Sequence, residues 1–334
     1  MNAAIAAVPL WVIVLIKSAI LLLIVVTTFA YSMLAERKIM AWMQLRPGPN
    51  RVGPWGMMQP AADALKMMFK EDLTPNTADL LIYRLAPFIS LITAMGVYAI
   101  IPFTGDASGS YSVGNVNAGI LFIFALSSIG VYGISLAGWA SGSKFPLLGS
   151  VRSTAQMISY ELSMTMSVIG VLIIAGSTSL SQIVNAQARM WFVIPQILGF
   201  VIYLITAVAE TNRAPFDLVE AETELVGGFH TEYSGLRFGL FFIAEYLNMI
   251  TVSCLATLLF LGGWNAPFGP SDNGIIGLVW FIVKVALFMF FYIWLRSTLP
   301  RFRYDRLMAF GWKVLLPAAT VNLVLTAVAV AVWG

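Results

Sequence analysis

Charge is scarce in this 334-residue chain: Asp, Glu, Lys and Arg make up 10% of it, against about 25% in an ordinary soluble domain. So little polar surface cannot disperse an apolar share of 59% in water, which excludes a soluble fold. A single cysteine, Cys254, excludes an internal disulfide. With one histidine, His230, the chain also lacks the Cys pair or His-rich set that would ligate zinc or an iron–sulfur cluster. If this protein takes part in redox chemistry, the electrons travel elsewhere. The net charge of +3 is spread among apolar segments and is no nucleic-acid signature. No internal repeat of the transporter kind is evident. The first apolar segment carries Lys17 near its middle with no small-residue cleavage site beyond it, so it reads as a retained helix and not a signal peptide.

Hydrophobic length is what the chain has. A spanning helix needs ~20 mostly apolar residues, and eight windows qualify: 8–34, 80–101, 118–139, 157–176, 190–209, 239–261, 275–295 and 313–333. They predict an all-α integral membrane protein, one membrane domain over 1–334 with about eight transmembrane helices. The connecting segments 35–79, 140–156, 210–238 and 296–312 hold 14 of the 19 basic residues, and the opposite loops hold only Arg189. By the positive-inside rule these four segments face the cytoplasm (or a mitochondrial matrix) and both termini lie outside. Twelve of the 16 acids share that side. Orientation does not require acids, so docking or chemistry is the expected reason.

In the first inner segment, RPGPNRVGPWG is rigid and turn-rich. After it, Met57, Met58, Ala61, Ala62, Leu65, Met68 and Phe69 recur at spacings of three and four. This pattern predicts an amphipathic helix of about four turns lying flat on the cytoplasmic membrane surface. Its methionines suit an adaptable apolar contact with a lipid tail or long ligand, and simple membrane docking is the plainer reading.

Lys17, Glu161, Glu245 and Lys284 fall inside spans, where an unpaired charge costs ~2.5–3.5 kcal/mol. Buried ion pairs between helices and functional sites are both open to the two lysines. Glu161 and Glu245 lie near the inner boundary, while Glu210 and Glu36 close the inner ends of spans five and one. Carboxylates at graded depth suggest a proton or ion path, and no Lys or Arg of the inner third is an obvious partner for Glu161 or Glu245. In the segment 210–238, Glu210, Asp217, Glu220, Glu222, Glu224 and Glu232 face only Arg213 and Arg237. Burial there would make these acids share protons and titrate together.

The run ERKIMAWMQLRPGPNRVGPWGMMQPAADALKMMFKED at 36–72 resembles the first inner loop of one membrane-protein family, the H subunits of NADH-quinone oxidoreductases, which includes mitochondrial NADH dehydrogenase subunit 1. AETNRAPFDLVEAETELVGGFHTEYSGLRF at 209–238 resembles the quinone loop of that family. SYELS at 159–163, FFIAEYLNM at 241–249 and RYDRLMAFGWKVLLP at 303–317 match in order, so the resemblance spans essentially the whole chain.

The resemblance implies the membrane subunit at the junction of respiratory complex I. There it would form much of the tunnel for quinone (ubiquinone), in contact with peripheral-arm subunits, neighbouring membrane-arm subunits and lipid. Flavin and iron–sulfur clusters would belong to other subunits. Matched position by position, Glu36, Arg37, Arg46 and Asp63 would lie at the tunnel mouth. Arg213, Phe216, Asp217, Glu220, Glu222 and Glu224 would border the tunnel, and Glu161, Glu210 and Glu245 would form a proton path. A bacterial inner membrane is the expected location, with a mitochondrial inner membrane as the alternative. Related membrane subunits of hydrogenase and ferredoxin-type complexes, and a stand-alone ion transporter, are the rival functional readings.

Overall fold

The computed structural model describes residues 9–105, 114, 116–217, 226–267 and 274–333, and among these the regular elements are all helical. In chain order they are α1 (Leu10–Met43), α2 (Gln59–Phe69), α3 (Leu80–Gly96), α4 (Gly119–Ala140), α5 (Lys144–Ala175), α6 (Leu180–Ala186), α7 (Ile197–Glu210), α8 (Gly235–Phe260), α9 (Gly274–Thr298), α10 (Tyr304–Phe310) and α11 (Leu316–Trp333). A π-turn over Gly311–Leu315 joins α10 to α11. Seven of the resulting helical rods are long and apolar enough to cross a bilayer, and α7 is a shorter apolar helix.

The windows read from sequence correspond to these elements, with boundaries moved for physical reasons. Residues 190–209 are helical only from Ile197; Pro195 offers no backbone N–H to a helix and disfavours the helical region for the residue before it. The 14 residues of α7 rise only ~21 Å. The helix containing 157–176 begins instead at Lys144, so most of the loop expected at 140–156 is helix. Ser150, Ser153 and Gln156 make that stretch look like a loop, yet all three are buried. Gln156 Nε2 donates to the carbonyls of Ala209 (2.8 Å) and Phe216 (2.9 Å), so the polar residues are a docking face for the following segment. The amphipathic helix α2 has 11 residues, about three turns where four were expected. Met57, Met58, Leu65, Met68 and Phe69 are all exposed on or beside it.

The core is centred on α8, whose second half from Met249 to Phe260 is buried throughout. Buried tyrosines tie it to its neighbours: the hydroxyl of Tyr98 donates to Leu247 O at 2.8 Å and that of Tyr203 to Val252 O at 2.9 Å. Small residues let other helices approach closely, as is usual where lipid removes the hydrophobic drive for association. A methyl group on Gly133 of α4 would stand 2.0 Å from Ser90 Oγ of α3. By contrast α1 is peripheral, with Leu15 and Leu23 among many open apolar side chains.

The two long connecting segments pack together at one end of the bundle, the loop-rich end. Arg237 Nη2 contacts Asp72 Oδ2 at 3.0 Å, the Tyr83 hydroxyl donates to Glu232 O at 2.7 Å, and the Tyr83 and Tyr233 rings stack 4.2 Å apart. At the other end Lys284 forms no ion pair among the described residues. Its ammonium donates to the carbonyls of Leu261 (2.6 Å), Gly263 (2.9 Å) and Asn265 (2.7 Å), and lies over the Trp191 ring. Carbonyls left without intrahelical partners beyond the C-terminus of α8 are natural acceptors for a cation. Lys17 lines the apolar cleft beside α1.

Candidate functional site

Glu36 is helical because α1 continues to Met43 beyond its apolar stretch, and the helix turns this carboxylate into the bundle, where it is 3% exposed. Its Oε1 accepts from Arg213 Nη1 at 3.3 Å and from Arg296 Nη1, and its Oε2 accepts from the Tyr246 hydroxyl at 2.7 Å. Arg213 directly follows the turn that ends α7, and its guanidinium lies 4.3 Å above the Tyr246 ring. Arg213 Nε is 2.8 Å from Glu245 Oε1, off the N–H direction, so this contact is Coulombic more than a directed hydrogen bond. Burial works against the Arg213 cation, but the carboxylates of Glu245 and Glu36 outweigh it and hold the guanidinium well above its usual range. Four elements thus meet on one buried charge cluster: α1, the segment after α7, α8 and α9.

A second pair of carboxylates is held differently. Glu210, the last residue of α7, is buried and accepts from Ser127 Oγ at 2.6 Å. The adjacent Ser128 donates to Glu161 Oε1. Both serines belong to α4, so one turn of one helix holds both acids. A cavity of about 50 Å³ joins the two groups, lined by Glu210, Glu245, Asn212, His230 and Asn248 among others. A smaller one of about 20 Å³ reaches from Glu210 and Ser127 to Thr251. Each exceeds the ~10–15 Å³ needed to hold a water molecule. The polar line therefore runs from Glu36 through Arg213 and Glu245 to the cavity, and on through Glu210 and the serines to Glu161.

The expectation that Glu245 lacks a basic partner is corrected: Arg213 reaches it from a loop, which linear depth along a span cannot reveal. Other site residues surround the cluster. Phe216 is buried, stacked on Phe302 at 5.5 Å, and Asp217 pairs with Arg301 at 3.0 Å. Arg37 pairs with Asp63 at 2.7 Å, fastening α2 to α1. Arg46 is exposed, bonded to Gln44, and not part of the cluster. Glu220, Glu222 and Glu224 lie outside the described residues. Sequence reasoning missed Arg296, Tyr246, the Ser127–Ser128 pair and His230 as members of the site. Adjacent serines in an otherwise apolar span, and a tyrosine next to Glu245, were the available signals.

Along α1, α8 and α9 a second feature adjoins the cluster. An apolar cleft of about 960 Å³ runs from Lys17 to Ile39 of α1, and Ala35 and Ile293 at its inner end neighbour the Glu36–Arg296 pair in sequence.

Comparison with known proteins agrees with this arrangement. A family model described as NADH dehydrogenase matches residues 16–327. An NADH-quinone oxidoreductase H subunit of Symbiobacterium thermophilum is 51% identical over 328 residues, covering 97% of this chain and 99% of the relative. Its namesake in Geobacter metallireducens is 52% identical, covering 93% and 94%. The corresponding H subunit of Rhodospirillum centenum is 51% identical, covering 91% and 89%. With a match over nearly the whole chain and half of all residues shared with relatives of similar length, the chain belongs to the NADH dehydrogenase family, with the H subunits of bacterial NADH-quinone oxidoreductases.

Proposed function

We propose that the chain forms much of the quinone tunnel of a proton-translocating NADH-quinone oxidoreductase and couples quinone reduction to proton movement through its buried carboxylates. The quinone is taken to be ubiquinone. The peripheral-arm subunits bearing flavin and iron–sulfur clusters would dock on the loop-rich end, with other membrane-arm subunits and lipid around the bundle. In this reading that end faces the cytoplasm of a bacterial inner membrane and both termini face outward. The observation that carries the proposal is the succession of polar groups from Glu36 to Glu161, with a cavity large enough for water between Glu245 and Glu210.

Reducing a quinone to a quinol creates negative charge and takes up two protons. In a low-dielectric site a relocated charge interacts over several kcal/mol with its neighbours. Glu36 and Glu245, locked onto arginines, would sense that charge as Coulombic force on Arg213 and Arg296. Glu210 and Glu161 rest on hydroxyls, which can donate to a carboxylate or accept from a carboxylic acid. They would be the groups that change protonation. The apolar cleft beside α1 suits an isoprenoid tail.

The test is Glu210→Gln in the assembled enzyme. NADH oxidation with a hydrophilic artificial acceptor should persist while quinone-linked proton translocation in proteoliposomes falls at least tenfold. Unchanged translocation would overturn the coupling role. Ion flux by the purified chain alone in liposomes would favour a stand-alone transporter, and oxidation of ferredoxin or hydrogen in place of NADH would favour a related complex.

A further inference from the structure

A cavity of about 430 Å³ lies beside Phe216, between α7, α9 and α10. Leu204, Phe216, Leu295, Leu299 and Phe302 contribute to its wall, and every lining residue is apolar except Arg306. Arg306 is exposed and makes no ion pair among the described residues, unlike Arg301, held by Asp217, and Arg303, held by Asp305. The volume lies in the ~300–1,000 Å³ range of pockets that enclose small ligands. Leu299 and Phe302 are about half exposed at its mouth, so water is not their natural solvent.

From these features we propose that this cavity is a binding site for an anionic phospholipid, one acyl chain inside and the phosphate on Arg306. Basic pockets between transmembrane helices hold such headgroups, and a long apolar tail fits a wall whose side chains are apolar apart from Arg306. A quinone headgroup, with two carbonyls to satisfy, finds no donor in the depth of this cavity. The lipid would brace the segment after α7, because Phe216 forms wall on one side while its carbonyl is held by Gln156 on the other. The site stands independently of the coupling role proposed for the carboxylates.

The assembled complex, placed in phosphatidylcholine nanodiscs with a trace of phosphatidylglycerol carrying a diazirine at the end of one acyl chain, provides the test. Photolysis should label Leu204, Phe216 or Leu295. A phosphatidylcholine probe of the same chain should label about fivefold less, the factor one basic residue gives for an anionic lipid surface. Arg306→Gln should remove that preference and Arg306→Lys should retain most of it, while labelling on the outward face of α1 at Leu23 stays constant. If Arg306→Gln fails to assemble, the comparison of the two probes on the unaltered complex decides. Equal labelling by both probes, or adducts absent because side chains of another subunit fill the cavity, overturns the proposal.

Discussion

Glu245 and Glu210 face one small cavity, yet opposite chemistry holds them. Glu245 leans on Arg213, which also holds Glu36, so on this side every carboxylate has a cation. Glu210 has Ser127 as its side-chain partner, with its second oxygen unbonded, and Glu161 has Ser128. The arginine side resists any change of charge, because removing one member strands the others. The serine side tolerates either protonation state, since a hydroxyl reorients to suit it. A fixed charge next to a variable one is what transmission of an electrostatic event requires.

The harshest way to break this contrast is Arg213→Met. It strands Glu36 with Arg296 alone and takes from Glu245 the cation it leans on. Removing one partner of a buried pair costs ~3–5 kcal/mol. We expect the melting midpoint of the solubilised complex to fall sharply, or the chain to drop out of the assembly. Adding Glu245→Gln to that variant should recover part of the loss, since it deletes a stranded charge. Strict additivity of the two changes would show that the pair is not coupled.

Lys284→Met probes a third way of holding a buried charge. It removes three hydrogen bonds to carbonyls, each from a charged donor, and leaves acceptors unsatisfied beyond α8. A loss of about 3 kcal/mol is expected, given ~1–3 kcal/mol per unsatisfied buried group. Quinone turnover per assembled complex should be unaltered, and a selective loss of turnover at unchanged melting would assign Lys284 to the chemistry.

The same substitution on the two sides of the cavity gives the sharpest comparison. Glu245→Gln should destabilise by ~1–3 kcal/mol, because it takes one of two carboxylates from the buried Arg213 cation. Glu210→Gln keeps an acceptor for Ser127 and should cost less than ~1 kcal/mol, while it abolishes the proton-carrying capacity of the site. Thermal scans of both variants beside their pumping activities separate the roles. Equal destabilisation would mean the serine side is as rigidly charged as the other.

These contrasts mark what could be seen before the fold was known. Spanning segments were legible because hydrophobic length is a local property, and their errors fall where polarity misleads: Ser150, Ser153 and Gln156 resemble a loop but are buried helix. Glu36, Glu161, Glu210 and Glu245 stood out because charge in an apolar context is conspicuous. Their partners did not. Arg213 reaches back to Glu36 across 177 positions and Arg296 across 260, and no spacing rule spans such distances. Serines 127 and 128 are conspicuous as a pair, but because a hydroxyl within a span is common they did not name the carboxylates they hold.

The smallest effect lies outside the buried network and calibrates it. Arg37, on the same turn of α1 that carries Glu36, pairs with Asp63 of α2, their side chains 43% and 26% exposed. Water and salt screen this contact, so Asp63→Asn should cost only ~0.2–1 kcal/mol, and less at high ionic strength. Glu36, one residue before Arg37 but turned into the bundle, should show no such relief when salt is raised. Measuring Asp63→Asn and Glu36→Gln at low and high salt therefore compares an exposed with a buried ion pair, each made to the same turn of α1. If both variants respond to salt alike, the Glu36 cluster is hydrated, and the distinction between a fixed and a variable side of the cavity fails with it.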